Sequence, residues 1–386
     1  MGNLGIYIQV PFCQTKCTYC NFHTGVVSAD RFAPYVAAVS NEICAHAQLF
    51  LAAGIQFSAT RVVDTIYIGG GTPSLLDPQL LVGLLETIGQ QFSCDLKEVT
   101  LEADPETIES EKAAQWAAAG INRISFGTQS FVDEELKASG RMHRRADIFH
   151  AAPILRNAGI CNISFDLIAG LPKQTSVSWR NSLDESLALS PEHISIYMME
   201  IDEGSRLGLE VLQGGTRYSA KDLPAEESVG EFYETAQSLL KAAGYEQYEI
   251  SNWSRPGFAS LHNLKYWRRE PYFGFGAGAH SFSGSQRWAN VHDASAYVDA
   301  IAAGRSAIQS VDALTPDLAL EEEFFLGLRQ LSGIDLSRIE QQYGKDFQQK
   351  VVRLASTGMV EREGNQVRLP AAKLAVSNEI IVELLR

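Results

Sequence analysis

The sequence predicts an α/β fold: an incomplete TIM-like barrel of six β/α units, an added α+β region and a small C-terminal winged-helix-like domain. Six short runs rich in β-branched and aromatic residues recur along the first half of the chain, and segments of helical length and composition separate them. Strands that alternate with helices form parallel sheets, and six units are too few for a closed eightfold barrel. An open doubly wound sheet is the alternative that this alternation also allows.

The predicted elements follow one another in a regular order. Strands are predicted to start at residues 5, 62, 98, 123, 162 and 193, and helices are predicted over 31–50, 78–92, 109–120 and 176–189. A Gly-rich polar connection and an aromatic segment follow, and helical patterns then precede a hairpin with its turn at Gly364-Asn365, as in winged-helix domains. We therefore expect three segments, a partial barrel at 1–215, an extension at 216–308 and a C-terminal domain at 309–386.

The composition excludes several classes of protein. The chain has 386 residues, of which 45% are hydrophobic and 20% charged, which is typical of folded globular proteins. A net charge of -14 argues against nucleic acid as the main ligand. The N-terminus lacks a signal-peptide pattern and no window is apolar enough to span a membrane, so we expect a cytoplasmic protein.

Half of the six cysteines lie within eight residues, in the stretch VPFCQTKCTYCNF. Cys13, Cys17 and Cys20 can bind three irons of a four-iron cluster and leave the fourth iron open to an amino-acid ligand. Taken alone, a zinc site completed by His23 is almost equally well supported, whereas a disulfide is disfavoured in a reducing compartment. The other three cysteines are predicted to be ordinary buried side chains: Cys44, Cys94 and Cys161.

Polar or glycine-rich signatures follow nearly all the predicted strands at their C-terminal ends, where barrel enzymes assemble their sites. The run Gly69-Gly70-Gly71 allows a ligand to approach the backbone closely. Other strand ends offer carboxylates, an amide and a guanidinium, which singly are more often structural groups but together predict a pocket for a charged, nucleoside-bearing amino acid. These side chains are Glu102, Gln129, Arg141 and Asp166.

The motifs resemble those of the radical S-adenosylmethionine (SAM) proteins of the coproporphyrinogen III dehydrogenase-like family, over nearly the whole chain. Matching stretches include YIQVPFCQTKCTYCNF, IYIGGGTPSLL, LEADPETI, RISFGTQSFVDEELKASGRMH and FDLIAGLP. The resemblance implies that Cys13, Cys17 and Cys20 bind a [4Fe-4S] cluster whose fourth iron is chelated by SAM. It also implies a SAM site formed by Tyr7, Gly70, Thr72, Glu102, Gln129, Arg141 and Asp166.

The stretch HNLKYW matches the HNxxYW motif of the heme-chaperone branch of this family. A histidine can ligate heme iron axially, and tyrosine and tryptophan offer flat faces to a porphyrin. From physics alone, an aromatic core patch with one hydrogen-bonded histidine is somewhat favoured, and nearby His280 is expected to border the same surface. The candidate heme-binding residues are His262, Asn263, Tyr266 and Trp267.

The resemblance implies a heme chaperone that binds heme and passes it to apo-proteins, respiratory-chain proteins among them. The alternative is an oxygen-independent coproporphyrinogen III dehydrogenase, which decarboxylates propionate side chains by radical chemistry. Phe22 occupies the position of the dehydrogenases' fourth cysteine, and the cysteine loop begins too early for their N-terminal extension. These two features and the HNxxYW motif favour the chaperone, while Gln9, where relatives commonly have histidine, weakens any heme role for the first strand.

Two further expectations remain open at this point. A radical SAM enzyme with another substrate is a third hypothesis, because the barrel determines the cofactor and not what is attacked. A small C-terminal docking module is compatible with a homodimer.

Overall fold

The structure, a computed structural model, describes residues 3–58 and 60–385. In chain order its strands are β1 Leu4–Val10, β2 Val63–Gly70, β3 Cys94–Ala103, β4 Arg123–Gln129, β5 Asn162–Ala169, β6 His193–Met198, β7 Glu246–Glu249, β8 Asn252–Ser254, β9 Tyr272–Phe275, β10 His280–Phe282, β11 Gln286–Asn290, β12 Ile308–Ala313, β13 Ile334–Asp335, β14 Glu361–Glu363 and β15 Gln366–Arg368. Its α-helices are α1 Phe32–Ala52, α2 Pro78–Gln91, α3 Ser110–Ala118, α4 Asp133–Ala138, α5 Arg145–Asn157, α6 Ser176–Ala188, α7 Arg206–Leu212, α8 Glu226–Ala242, α9 Leu261–Trp267, α10 Ala294–Ala302, α11 Pro316–Gly327, α12 Leu336–Tyr343, α13 Gln348–Ser356 and α14 Ser377–Leu385.

One large sheet organises most of the chain. Its strand order is β12-β11-β10-β9-β1-β2-β3-β4-β5-β6-β8-β7. Strands β1 to β6 pair in parallel with one another in sequence order. Strand β9 pairs in parallel with the other edge of β1. The remaining strands extend both ends as antiparallel additions, and β12 and β7 are the two edges, so the sheet is open. This confirms the predicted incomplete barrel of six β/α units.

The local sequence explains why the strands and helices form where they do. On β1, successive side chains point to opposite faces: Ile6 and Ile8 are fully buried, whereas Tyr7 and Gln9 between and after them are only partly buried. Helix α2 begins after Asp77, whose side chain accepts a hydrogen bond from the backbone of Gln79 at 2.8 Å, with Pro78 at the first helical position.

The buried apolar residues form two clusters. The first runs from Leu4 to Ala307 and unites the barrel with the extension that follows it. The second lies between residues 320 and 384, around the small sheet β13-β15-β14. The predicted hairpin is confirmed, with Gly364 at the turn in the left-handed region (φ 62°). The expected segment boundaries at residues 215 and 308 stay predictions.

The prediction that the scattered cysteines are buried is wrong. Cys44, Cys94 and Cys161 are all exposed. Cys44 lies on the outer face of α1, and Cys94 opens β3, whose first four residues are exposed. Residue type gave the wrong answer because burial depends on which face of the element a side chain occupies. None of the helices among the described residues is long and apolar enough to cross a membrane.

Candidate functional site

The C-terminal ends of the parallel strands border a cavity of about 710 Å³. This lies within the range of about 300–1,000 Å³ that is usual for the pocket of a cofactor-sized ligand. Its walls combine the cysteine loop after β1, the glycine run after β2 and polar side chains from β3, β4 and β5. The predicted site residues that line it are Cys13, Cys17, Cys20, Gly70, Thr72, Glu102, Gln129, Arg141 and Asp166.

The cysteine loop is held in place by backbone hydrogen bonds. The amide of Cys13 donates to the carbonyl oxygen of Gly25, and the amide of Thr18 donates to that of Ser139, both at 3.0 Å. The three thiols are half-buried, and burial raises the pKa of Cys13 and of Cys20. Metal binding at these positions would therefore displace thiol protons, as is general for thiolate ligands.

The glycine run packs directly against the cysteine loop. Gly70 adopts a φ of +113°, and a Cβ atom on Gly71 would lie 2.4 Å from the backbone oxygen of Phe12. The amide of Thr72 donates to that same oxygen at 2.6 Å. Glycine is needed here both for the backbone conformation and for the close contact between the two loops.

Glu102 places a partly buried carboxyl group in the cavity wall. It accepts hydrogen bonds from the hydroxyl of Tyr67 and from the backbone amide of Gly70, both at 2.8 Å. Burial raises its pKa to about 7. A positively charged ligand group would favour the ionised carboxylate, because an opposite charge nearby stabilises the charged form.

Asp166 and Gln129 extend the polar wall. Asp166 accepts hydrogen bonds from Ser125 Oγ at 3.0 Å and Ser164 Oγ at 3.4 Å, and burial raises the pKa of its carboxyl group. Gln129 lies in the left-handed region (φ 63°), an uncommon conformation for a residue other than glycine. Such strained positions cluster at ligand sites, since the surrounding structure must hold them in place.

Arg141 is bound by a carboxylate that the sequence interpretation missed. Its guanidinium donates to Asp104 Oδ1, to the carbonyl oxygen of Gly127 at 2.7 Å and to Cys17 Sγ at 3.5 Å. Asp104 also accepts a hydrogen bond from Thr72 Oγ1 at 3.1 Å. Arg141 thus connects the cysteine loop to Gly127 on β4 and to Asp104, the residue that follows β3. The sequence feature that could have identified Asp104 as a site residue is its position two residues after Glu102 in the stretch LEADPETI.

Tyr7 is the one predicted SAM residue that does not line the cavity. Its ring stacks on that of Tyr67, with centroids 6.0 Å apart, and its hydroxyl donates to Gln9 Oε1 at 2.6 Å. Tyr67, its partner in the register between β1 and β2, lines the cavity instead. The assignment of these residues to SAM stays a prediction.

The HNxxYW motif lies in α9, whose last residue lines the cavity. The buried carboxylate of Glu98, four residues before Glu102 on β3, accepts hydrogen bonds from the amides of Leu261 and His262 at the start of the helix. Trp267, at its other end, lines the cavity, whereas the side chains of Asn263 and Tyr266 do not. The motif therefore reaches the cavity through Trp267.

His262 is fully buried, and both of its ring nitrogens have protein partners. Nδ1 is hydrogen-bonded to Thr65 Oγ1 and Nε2 to the hydroxyl of Tyr266, each at 2.9 Å. Burial lowers its pKa to about 3. This is the hydrogen-bonded core arrangement that the residues alone favoured, and heme ligation by His262 would require the hydrogen bond at the ligating nitrogen to break. A heme role for the motif stays a prediction.

His23 and His280 lie close to each other at the end of the cysteine loop. The ring of His23 packs on that of His292, with centroids 4.1 Å apart. The pKa of His280 is lowered by burial and, to a smaller extent, by nearby groups that include His292 and His23. Among residues 3–58 and 60–385, no group of three or more His, Cys, Asp or Glu side chains is arranged to hold a single metal ion. In a four-iron cluster, by contrast, each thiolate binds a different iron atom.

Arg329 is a cavity residue that the sequence did not indicate. It comes from the C-terminal domain and lines the cavity together with Ser377 and Asn378. Its Nη2 donates to Asn378 Oδ1 at 2.6 Å, and its buried Nε has no hydrogen-bond partner among the described residues. The last domain therefore brings a cation to the cavity.

Comparisons with known proteins agree with this architecture. The Radical SAM superfamily matches residues 7–185, and the HemN C-terminal domain matches residues 314–372. The heme chaperone HemW of Bacillus subtilis is 35% identical over 97% of this chain and 97% of its own length. The heme chaperone HemW of Haemophilus influenzae is 36% identical over 72% of this chain and 70% of its own.

A solved structure supports the fold. Coproporphyrinogen III oxidase (HemN) from Escherichia coli, a radical SAM enzyme, superposes with a TM-score of 0.82 over 99% of this chain and 90% of that one. Because the two sequences are only 24% identical, this match supports the fold alone. Because relatives that are 30% and 35% identical match nearly the whole length of this chain, it belongs to the HemW family within the radical SAM superfamily.

Proposed function

We propose that this protein is a heme chaperone that holds a [4Fe-4S] cluster and SAM in its central cavity, binds heme and passes it to acceptor apo-proteins. The observation that supports this most is the 35% identity to a heme chaperone across 97% of both chains. The cysteine loop, the glycine run and the polar strand ends supply a site of matching chemistry. Respiratory-chain proteins as acceptors, a homodimer and a cytoplasmic location stay predictions.

The residues present fit the cluster and SAM. Three half-buried thiols lie at the same cavity as the carboxyl groups of Glu102 and Asp166. We assign the thiols to three irons, the Gly70 backbone and Glu102 to the amino-acid end of SAM, and Asp166 to its ribose hydroxyls. Arg141 positions Cys17 through its hydrogen bonds to that sulfur and to Asp104. When bound, a SAM-ligated cluster supplies one-electron redox chemistry.

The cluster is tested by anaerobic reconstitution with iron and sulfide, followed by measurement of bound iron and of the electron paramagnetic resonance (EPR) spectrum of the reduced protein. Cys17→Ser is expected to lose the cluster signal. Cys94→Ser is the matched control, because Cys94 is exposed and lies outside the loop. A change of the EPR spectrum on addition of SAM supports chelation at the open iron. Equal iron content in the two variants contradicts the cluster assignment.

Heme transfer is tested directly with full-length protein. The protein is loaded with hemin, separated from free hemin and mixed with an apo-cytochrome, and the Soret spectrum of the acceptor is followed. Transfer faster than from free hemin at equal concentration supports the chaperone. The control is heat-unfolded protein, which tests for non-specific adsorption.

The alternative activity, oxidative decarboxylation of coproporphyrinogen III, is tested in parallel with SAM and a reductant. The fold likeness to HemN permits this reaction but does not favour it, because identity of 24% supports the fold alone. Formation of the decarboxylated porphyrinogen would replace the chaperone proposal. Without such product, heme transfer stands as the function that the chain's relatives favour.

A further inference from the structure

Heme binding requires an accessible iron ligand, and the buried His262 does not offer one in this structure. A neutral imidazole is the commonest such ligand. Of the eight histidines in the sequence, four are buried at residues 46, 143, 193 and 262. The exposed four are His23, His150, His280 and His292.

Three of the four exposed histidines lie together, although they are far apart in sequence. His23 follows the cysteine loop, His280 begins β10 and His292 follows β11. The rings of His23 and His292 are in contact at a centroid distance of 4.1 Å. Partial burial of its ring lowers the pKa of His280, and the nearby His292, Arg287 and His23 lower it further, which favours the neutral imidazole that can bind a metal.

Exposed apolar side chains border these histidines on the same loop. Phe22 is 65% exposed and Val26 60% exposed, on either side of His23. The amide of Thr24 donates to the carbonyl oxygen of Phe22 at 2.8 Å, so a tight turn centres on His23. Exposed apolar residues grouped in this way often mark binding sites, and an aromatic ring can pack on the face of a porphyrin.

Positive charge is available beside the apolar residues. The ammonium group of Lys16 donates to the carbonyl oxygen of Phe22 at 3.3 Å. Phe22 and Lys16 both line the central cavity. Imidazole, apolar side chains and a cation therefore meet in one place, and they match the iron, the flat macrocycle and the carboxylates of heme.

We propose that His23, His280 and His292, with Phe22 and Val26, form the surface on which heme binds, with one or two of these imidazoles as axial ligands. We call these five residues the histidine surface. The inference rests on the proposed heme-chaperone function and names its binding site. Heme needs no more than two protein ligands, because the porphyrin nitrogens hold the iron from four sides. The position beside the cysteine loop puts bound heme next to the proposed cluster.

The test is a hemin titration of reconstituted full-length protein, read from the Soret band and from the EPR spectrum of ferric heme. The triple variant His23→Ala, His280→Ala, His292→Ala is expected to bind hemin on the order of tenfold more weakly or worse and to lose the histidine-ligated EPR signal. His150→Ala, which removes the remaining exposed histidine, is expected to keep both. Circular dichroism checks that each variant is folded, as expected for the exposed positions.

A second measurement needs no variant. Diethyl pyrocarbonate modifies accessible imidazoles, and mass spectrometry locates the modified residues. Hemin is expected to protect His23, His280 and His292 but not His150. Unchanged hemin affinity in the triple variant, or protection absent at all three positions while wild-type protein binds hemin, overturns the histidine surface and leaves the chaperone proposal intact. Failure of wild-type protein to bind hemin overturns both.

Discussion

The hydroxyl of Tyr67 donates a 2.8 Å hydrogen bond to Oε1 of Glu102. The same tyrosine ring lies 5.3 Å from the imidazole of His262, measured between centroids. Tyr67 therefore connects His262 on α9 to the carboxyl group that we assign to SAM. A structural change at His262 can therefore affect Glu102 through the side chain of Tyr67.

Tyr67→Phe tests this connection. The hydrogen bond from Tyr67 lowers the pKa of Glu102, and without it a larger fraction of the carboxyl group is protonated near pH 7. The pH midpoint of SAM binding is expected to rise by about one to two units, because a hydrogen bond to a charged group contributes about 1.5–3 kcal/mol. Isothermal titration of SAM between pH 6 and 9, on reconstituted protein, measures it.

The matched control for that change is Tyr245→Phe. Tyr245 is also buried, and its hydroxyl donates to the carbonyl oxygen of Pro191 rather than to a cavity residue. Equal pH midpoints in wild type and Tyr67→Phe, or the same shift in both variants, would mean that Glu102 does not act through Tyr67.

Gly71→Ala is expected to prevent stable binding of the cluster. A Cβ at this position would lie 2.4 Å from the backbone oxygen of Phe12, so one of the two loops must move. Gly83→Ala in α2 is the control, because its Cβ would have nothing within 4 Å and alanine in a helix is favoured by about 1 kcal/mol. Iron and sulfide content after reconstitution measures the effect. Wild-type iron content in Gly71→Ala would contradict it.

Glu98→Ala is expected to destabilise the protein by more than about 2 kcal/mol, since buried helix N–H groups would lose their acceptor. Glu98 accepts hydrogen bonds from Ser260 Oγ and from the amides of Leu261 and His262 at the start of α9. Urea unfolding measures the loss. Glu361→Ala, which removes an exposed ion pair with Arg368, is expected to change little. Similar unfolding midpoints for the two variants would show that Glu98 does not hold α9.

Glu42 predicts a defined pH dependence of stability. It is buried, accepts a hydrogen bond from Tyr297 at 2.6 Å, and burial raises its pKa from 4.5 to about 7. As the pH rises above 4.5, the unfolded chain releases this proton first, so the unfolding free energy falls until about pH 7. The fall amounts to on the order of 3 kcal/mol for this group.

The measurement compares wild type with Glu42→Gln, which does not titrate, by denaturant unfolding at several pH values. The difference in unfolding free energy between the two proteins is expected to change steadily between pH 5 and 7 and to level off above pH 7. A difference that is independent of pH would mean that Glu42 keeps an ordinary pKa in the folded protein.

Much of the site was predictable from the sequence because a strand and the loop after it are neighbours along the chain. Gly70, Thr72, Glu102 and Asp166 lie within, at the end of or just after strands that are rich in β-branched and aromatic residues, and all four line the cavity. The buried state of the scattered cysteines was predicted wrongly. Residue type says nothing about which face of α1 or which end of β3 meets solvent.

The sequence by itself determined the alternation of strands and helices, the cysteine and glycine motifs at strand ends, and the family. Only the tertiary structure decided that Tyr67 rather than Tyr7 lines the cavity, that His262 is buried, and that Arg329 reaches the cavity from the last domain. It also brought His23, His280 and His292 together. Local periodicity is encoded within a few residues, whereas these contacts depend on strand register and on packing between segments hundreds of residues apart.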